Sequence, residues 1–437
     1  MKAHFGQPDT IYQVSYRDDI PMSMPRPEFW RNVATVMTGA TGAQALTLLA
    51  APLLTRLCTP AEMGSFSVWL GVIAVTSIIA TLRVENAMVI DHERGQQRLC
   101  FGVVAWFATL LGLAVTLCSL CACALGLPPL QTVSWPEMAT VGLATWMGAN
   151  IQTTLAYAAA HRQFGTAARI KLLQAGTIAT SQLALLYAGV DGVALLAGQL
   201  IGLGAGLVAG RLLLSPPRAR FSFFLDRTQR AYLHKHRAFW RYSLPSSLLN
   251  TMVGQLPLFM IGIHHGALAA GLFALTQRVL AAPTALIATS ILEVFKRQAV
   301  NEFQTVGNCL AVYRSTFKAL VLLALGPTLV LLLFSPALFG WLFGEDWRPA
   351  GDLARILAPL CFLNFVASPL SYVFFVSGKQ RMELCWQVVL FLCTLLVFVA
   401  PLSLHGSLMA YAIMRSALYL VYLYMSHLCA RNVPVLA

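Results

Sequence analysis

Arg278 and Arg415 each lie deep inside an apolar stretch. A guanidinium stays charged at physiological pH and presents a planar fork of donors that fits a phosphate or carboxylate bidentately. A charge at mid-membrane costs at least about 2.5–3.5 kcal/mol even on the lenient insertion scale. An anion or a buried carboxylate must therefore meet each arginine. Arg278 follows Gln277 in 268–295, LAAGLFALTQRVLAAPTALIATSILEVF. Ala274, Arg278, Ala281, Ala285 and Ala288 recur at three- and four-residue spacing and share one helical face. A small face turns toward other helices or a cavity, not toward lipid. Pro283 frees a carbonyl that a watered interior can satisfy. Two readings stay open: a cation that binds a ligand, or a packed arginine paired for structure.

Ser407, Tyr411, Arg415 and Tyr419 recur every four residues and make a second polar stripe. Such a stripe would waste energy facing lipid. It is either a hydrogen-bonded helix seam or a cavity wall. A third group is Arg83, Glu85 and Asn86 in TLRVENAMVI, near the end of an apolar span. It reads as a salt bridge of snorkelling side chains or as a gate. The fourth is the first span, with Thr38, Thr41, Gln44 and Thr47 beside Gly39 and Gly42. Asn250, Gly254 and Gln255, between Pro245 and Pro257, occupy a similar place in the seventh span. Polar, glycine-rich helices at both places fit a central cleft, or close helix packing.

The elements that carry these residues follow from composition. Hydrophobic residues make up 58% and charged residues 11%, with mean hydropathy +0.69. A soluble chain would carry roughly 25% charged residues. The sequence is an all-α polytopic membrane protein. Apolar spans read at 32–55, 65–90, 99–125, 137–160, 170–189 and 192–214, then at 242–263, 268–295, 316–343, 353–377, 382–402 and 406–428. That is about twelve helices in two bundles of six. The net charge of +13 is distributed between spans, as topology requires, and does not indicate nucleic acid. One set of connections holds Arg94 and Arg98, then Arg162, Arg169 and Lys171, then Arg218 to Arg241, then Lys296 to Lys318, then Lys379 and Arg381. The alternate set holds only Arg56, Arg348 and Arg355. This bias places both termini in the cytoplasm.

The halves look duplicated. Trp30-Arg31 opens the first span and Trp240-Arg241 the seventh. Gly64-Ser65-Phe66 and Gly271-Leu272-Phe273 stand at corresponding places, and Glu85 and Glu293 end the second and eighth spans. Six is even, so the copies share orientation and a pseudo-two-fold runs along the membrane normal. The domains expected are a cytoplasmic tail at 1–30, one bundle at 31–214, a basic cytoplasmic linker at 215–241, a second bundle at 242–428 and a cytoplasmic tail at 429–437. No basic start with an apolar core marks a cleaved signal peptide. The ten cysteines lie mostly in apolar segments and read as packing residues. His264-His265 reads as a loop pair without metal partners. There is no P-loop and no HExxH.

LLTRLCTPAEMGSFSVW at 53–69, ATLRVENAMVI at 80–90, FGEDWRPAG at 343–351 and SGKQR at 377–381 resemble the signatures of Wzx-type O-antigen and exopolysaccharide flippases. These are polysaccharide biosynthesis proteins of the multidrug/oligosaccharidyl-lipid/polysaccharide exporter superfamily. The resemblance covers nearly the whole membrane region. It implies two six-helix bundles around a cationic cavity and alternating access. The implied cargo is an undecaprenyl-diphosphate-linked oligosaccharide, moved from the cytoplasmic to the periplasmic leaflet of the bacterial inner membrane. A polysaccharide polymerase and a chain-length regulator are its implied partners, beside the lipid bilayer.

On this reading the cavity residues are Arg278, Gln277, Arg415, Tyr411, Gln44, Asn250 and Gln255, and the gate or coupling residues are Arg83, Glu85 and Glu293. No catalytic residue, metal or cofactor is expected; a proton or sodium gradient would drive uphill transport. Glu85 or Glu293 would carry the proton, or both would merely close salt bridges. Whether Arg278 and Arg415 share one cavity stays open. The runner-up is a drug exporter of the same superfamily, against which intramembrane arginines argue. A membrane polysaccharide polymerase would need a larger outer loop.

Overall fold

The computed structural model describes residues 42–91, 93–124, 134–190, 192–217 and 224–431, and every regular element in them is helical. The expectations for the N-terminal tail, Thr38, Gly39, Thr41, Trp30 and Arg31 lie outside those residues. The helices are α1 Gly42–Thr55, α2 Pro60–Thr81, α3 Arg94–Ala124, α4 Trp135–Ala160, α5 Phe164–Tyr187 and α6 Ala194–Leu214. A short α7, Arg227–Lys235, follows in the linker. Then come α8 Leu244–Pro283, α9 Thr289–Val306, α10 Leu310–Phe343, α11 Arg348–Leu370, α12 Val373–Val376, α13 Gln380–Val399 and α14 Leu404–Ala430.

Eight described helices are long and apolar enough to cross a membrane, and one of them, Phe239–Pro283, holds two crossings. Gly266 divides it, with φ 82° and ψ 178°, a conformation open essentially to glycine. The chain reverses there. A Cβ placed on Gly262 would lie 3.8 Å from that of Ala270. A straight helix would separate those residues by about 12 Å. With α1, α4 and α5, six membrane helices stand on each side of the linker. The protein is a two-lobed helical bundle.

Local signals set several boundaries. Thr59 and Glu62 form a capping box with Pro60 at the first turn of α2, so the helix starts at Pro60 rather than at 65. It ends at Thr81, because Leu82 and Arg83 are both left-handed, with φ 51° and 58°. Residues Val84–Val89 form a separate 3-10 turn. The expected span 65–90 is therefore wrong at both ends, and Glu85 lies beyond the helix. No glycine or proline between Thr81 and Ile90 marks that stop. Helix α5 begins at Phe164, not 170, which places Lys171 two turns inside it. The expected span 268–295 instead bends through a π turn at Thr284–Ala288, directly after Pro283, and continues as α9.

The lobes meet where α2 crosses α8. A Cβ on Gly64 would overlap the carbonyl oxygen of Ala267 and lie 2.7 Å from the amide nitrogen of Gly271. A Cβ on Gly271 would overlap the carbonyl oxygen of Pro60 and lie 3.0 Å from the amide nitrogen of Gly64. Each glycine thus faces the residue four before the other, as a local two-fold requires. The crossing sits near one end of both helices. At that same end the Trp347 indole donates to the Thr55 carbonyl at 2.8 Å, and Arg56 donates to the Trp341 carbonyl at 3.0 Å. We call this end the sealed face and the opposite end, which carries the linker, the basic face. Small residues let helices approach inside the first lobe too, as at Gly112 and Gly142 between α3 and α4.

Overpacking a tight contact costs roughly 1–3 kcal/mol. Gly271→Ala should lower the thermal midpoint of the purified protein. Gly326→Ala, on α10 with open space around it, should leave it equal or higher, since alanine favours helix. Equal midpoints for the two variants would contradict the close crossing.

Candidate functional site

Helix α8 is the wall between two cavities. After the reversal at Gly266 it runs inward, and Arg278 stands about 18 Å along it, near the middle of a bilayer core about 30 Å thick. Arg278 lines a cavity of about 500 Å3 in the first lobe. Helix α1 contributes Gln44 and Thr47, α2 contributes Phe66 and Leu70, α5 contributes Lys171, Gln174 and Gln182, and α6 contributes Gln199. Among the described residues, the lining holds two cations and no carboxylate. Among the described residues neither Arg278 nor Lys171 is in an ion pair. The buried-carboxylate reading of Arg278 therefore has no partner within this lining.

Gln277, one residue earlier, turns the other way. With Leu280 and Ala281 it lines a second cavity, of about 210 Å3, together with Asn364, Tyr411, Arg415 and Tyr419. Arg278 and Arg415 line separate cavities, and Ala281 does not share the side of Arg278. Arg415 donates to the Tyr411 hydroxyl and lies 5.2 Å from the Tyr411 ring centre and 5.8 Å from that of Tyr419. Tyr419 in turn donates to the Asn364 side-chain oxygen at 2.9 Å. The stripe is at once a helix seam and a cavity wall. Gln277 reaches the Gly254 carbonyl at 3.4 Å. Asn250 is exposed, and neither it nor Gln255 lines either of these two cavities. Gln255 instead packs at the α2–α8 seam, its side-chain oxygen 3.1 Å from where a Cβ on Gly71 would stand.

Sequence reasoning missed Lys171 by counting it among the loop charges that set topology. Its signal was Lys171, Gln174 and Gln182, three polar residues that share one helical face with Ile178 over three turns. It also overlooked Glu383, in the first turn of α13, which accepts from the Tyr422 hydroxyl and from Gln387.

The expected gate residues lie at the basic face. Glu85 is buried and pairs with Arg83 of its own segment at 3.3 Å. Glu293 is half-exposed and pairs with Lys296 at 2.7 Å. Asp91 takes Lys235 at 3.0 Å and His236 at 2.9 Å, pinning the end of α7 to the first lobe. Among the described residues no ion pair joins α1–α6 to α8–α14. Burial pushes the Glu85 carboxyl up from its ordinary value, and backbone hydrogen bonds and Arg83 pull it back only in part. Burial also lowers His236, against the opposing pull of Asp91.

This two-lobed arrangement is shared with solved transporters. An inward-facing multidrug resistance MATE family transporter of the MOP superfamily matches with TM-score 0.68 at 14% identity, over 92% of this chain and 100% of its own. The lipid II flippase MurJ in an inward closed conformation matches with TM-score 0.70 at 11% identity, over 90% of this chain and 87% of its own. At such identities the likeness is one of fold. The protein therefore has the fold of these transporters. The chain belongs to the polysaccharide biosynthesis protein family, whose model matches residues 53–352. No curated protein sequence matches it.

Because the folded-state pKa of Glu85 is raised, its stabilising contribution is complete below the ordinary value of 4.5 and is lost as pH rises through the folded value. Glu85→Gln should therefore raise the thermal midpoint at pH 8, and the gain should shrink toward zero near pH 4.5. A shift of equal size at both pH values would contradict a protonation-linked cost.

Proposed function

We propose that this protein flips an undecaprenyl-diphosphate-linked oligosaccharide across the bacterial inner membrane, for O-antigen or exopolysaccharide assembly. The observation that carries the reading is the pair Arg278 and Lys171 in a mid-membrane cavity whose described lining residues include no carboxylate. A diphosphate is doubly charged, and charge-assisted bonds to it are the strong ones. The two cations come from different lobes, α5 from the first and α8 from the second. A bound diphosphate therefore bridges elements that alternating access must move against each other. Gln44 contributes on the same side; Gln277, Arg415 and Tyr411 serve a second, smaller site, and Asn250 and Gln255 act along the cleft between lobes.

The Lys/Arg bias supports a cytoplasmic basic face and cytoplasmic termini. The glycine crossing and the two tryptophan contacts then make this the state closed toward the periplasm. Glu85, buried with a raised pKa, suits proton uptake from the cytoplasm better than the half-exposed Glu293 does. A cationic drug would meet two positive charges in the first cavity, which disfavours a drug exporter. A polymerase and a chain-length regulator are the partners this role calls for.

Hydrogen bonds to charged groups contribute about 1.5–3 kcal/mol each. Arg278→Ala and Lys171→Ala should each slow flipping of the lipid-linked glycan in proteoliposomes by roughly ten- to a hundredfold, at unchanged protein level. Arg278→Lys should retain part of the rate, since it keeps the charge and loses the fork. Full activity of both alanine variants would sink the diphosphate reading. A membrane-impermeant thiol reagent that reached a single cysteine at position 228 from outside intact cells would overturn the orientation.

A further inference from the structure

The second-lobe cavity holds a charge that the fold leaves unbalanced. Arg415 stands about 16.5 Å along α14 from Leu404, at membrane depth. It is the one cation in the described lining of that cavity, and no carboxylate is among those residues. Among the described residues Arg415 is in no ion pair. Glu383, on the neighbouring α13, is taken up by Tyr422 and Gln387 instead. The Tyr411 hydroxyl and the two tyrosine faces touch the guanidinium but carry no net charge. Its Nε is buried without a partner among the described residues. A buried charge left uncompensated is strongly unfavourable.

The polar atoms around this space are donors in excess. Tyr411 accepts from Arg415, which leaves its own hydroxyl proton to give away. Tyr419 donates to the Asn364 side-chain oxygen at 2.9 Å, so the Asn364 acceptor is engaged while its amide hydrogens have no acceptor among the described residues. Gln277 spends one amide hydrogen on the Gly254 carbonyl at 3.4 Å and keeps a second. Water would complete these bonds and leave the charge unbalanced. An anion does both. One guanidinium calls for one negative charge, where the pair Arg278 and Lys171 calls for two. The volume of about 210 Å3 is less than half that of the first cavity, at about 500 Å3. It also falls below the roughly 300–1,000 Å3 of drug-sized sites. Leu280, Leu360 and the tyrosine rings make the remaining wall apolar. Such a wall suits a small, weakly hydrated ion better than a phosphate.

We propose that the second-lobe cavity binds a small monovalent inorganic anion of the chloride class, held by Arg415, Tyr411 and Asn364, with Gln277 closing the site from α8. This gives the smaller site a ligand of its own and goes beyond the flippase reading, which the first cavity carries. The bound ion balances Arg415, so the second cavity exerts no net attraction on a diphosphate.

The test follows the thermal midpoint of the purified whole chain while sodium chloride replaces sodium gluconate at constant ionic strength. No cargo is involved. The wild-type midpoint should climb with the logarithm of chloride concentration, as binding to the folded state alone requires, and bromide should act alike. The double variant Arg278→Ala, Lys171→Ala removes both cations of the first cavity and should keep the whole climb. Arg415→Gln removes the charge and should lose the climb. Asn364→Asp places a carboxylate in the same cavity at unchanged side-chain size and still accepts from Tyr419. It should raise the midpoint in gluconate and lose the chloride response, and it decides the matter should Arg415→Gln fold poorly. A wild-type midpoint that does not distinguish chloride from gluconate overturns the anion site. So does an Asn364→Asp variant that responds like the wild type, or a response that disappears with Arg278 and Lys171. Each of these leaves the flippase reading standing, since that reading is tested by transport of the lipid-linked glycan.

Discussion

The α2–α8 crossing is the contact on which the rest of the arrangement depends. Two glycines, each facing the residue four before the other, let two backbones touch at one end of the membrane. In lipid there is little hydrophobic drive between helices, so such close backbone contact is what association relies on. The crossing brings α8 up to the first lobe. From there Arg278 reaches into a cavity whose other walls are α1, α2, α5 and α6. It also sets the face of α8 that remains for the second lobe, where Gln277, Leu280 and Ala281 line their own cavity. Adjacent residues on a helix point about 100° apart, so Gln277 and Arg278 belong to different chambers.

Burying charge in the membrane interior is resolved differently in the two chambers. Arg415 is partly satisfied within the fold, by the Tyr411 hydroxyl and by the faces of Tyr411 and Tyr419, while its Nε is buried without a hydrogen-bond partner among the described residues. Cation–π contact and a hydroxyl acceptor together offset much of its desolvation. Arg278 has no such cage among the residues that line its cavity, and Lys171 adds a second positive charge there. Like charges in a low-dielectric cavity repel, and their field extends over the empty volume. That is unfavourable for the protein alone and favourable with an anion bound.

Much of this was legible in the sequence. The apolar spans, their alternating charge and the paired glycine positions gave the membrane class and the two-lobed plan, since hydropathy and Lys/Arg bias report directly on the bilayer. Gly64 and Gly271 were matched by register and proved to touch. Arg278 was legible because a charge amid alanines has few structural explanations. Lys171 was not, because a lysine two turns inside a helix looks in one dimension like a lysine at its end. The end of α2 was hidden for the converse reason: Leu82 and Arg83 turn left-handed without a glycine to mark it. Whether Arg278 and Arg415 met was beyond any pattern, since helix rotation in a bundle is set by neighbours far away in sequence.

Near two-fold symmetry at the seam and clear asymmetry in the cavities have a common consequence. A symmetric crossing lets the lobes rock about one place without favouring either. If both chambers carried exposed cations, the cargo would have two equivalent resting sites and nothing to commit it to one path. Tyr411 and Tyr419 partly satisfy the second arginine, and Gln182 and Gln199 line the first cavity toward the sealed face. Under the proposed function the anionic end of the cargo is then drawn to the first chamber. Release follows when rocking separates Lys171 on α5 from Arg278 on α8, because neither cation alone provides the second charge that a diphosphate needs.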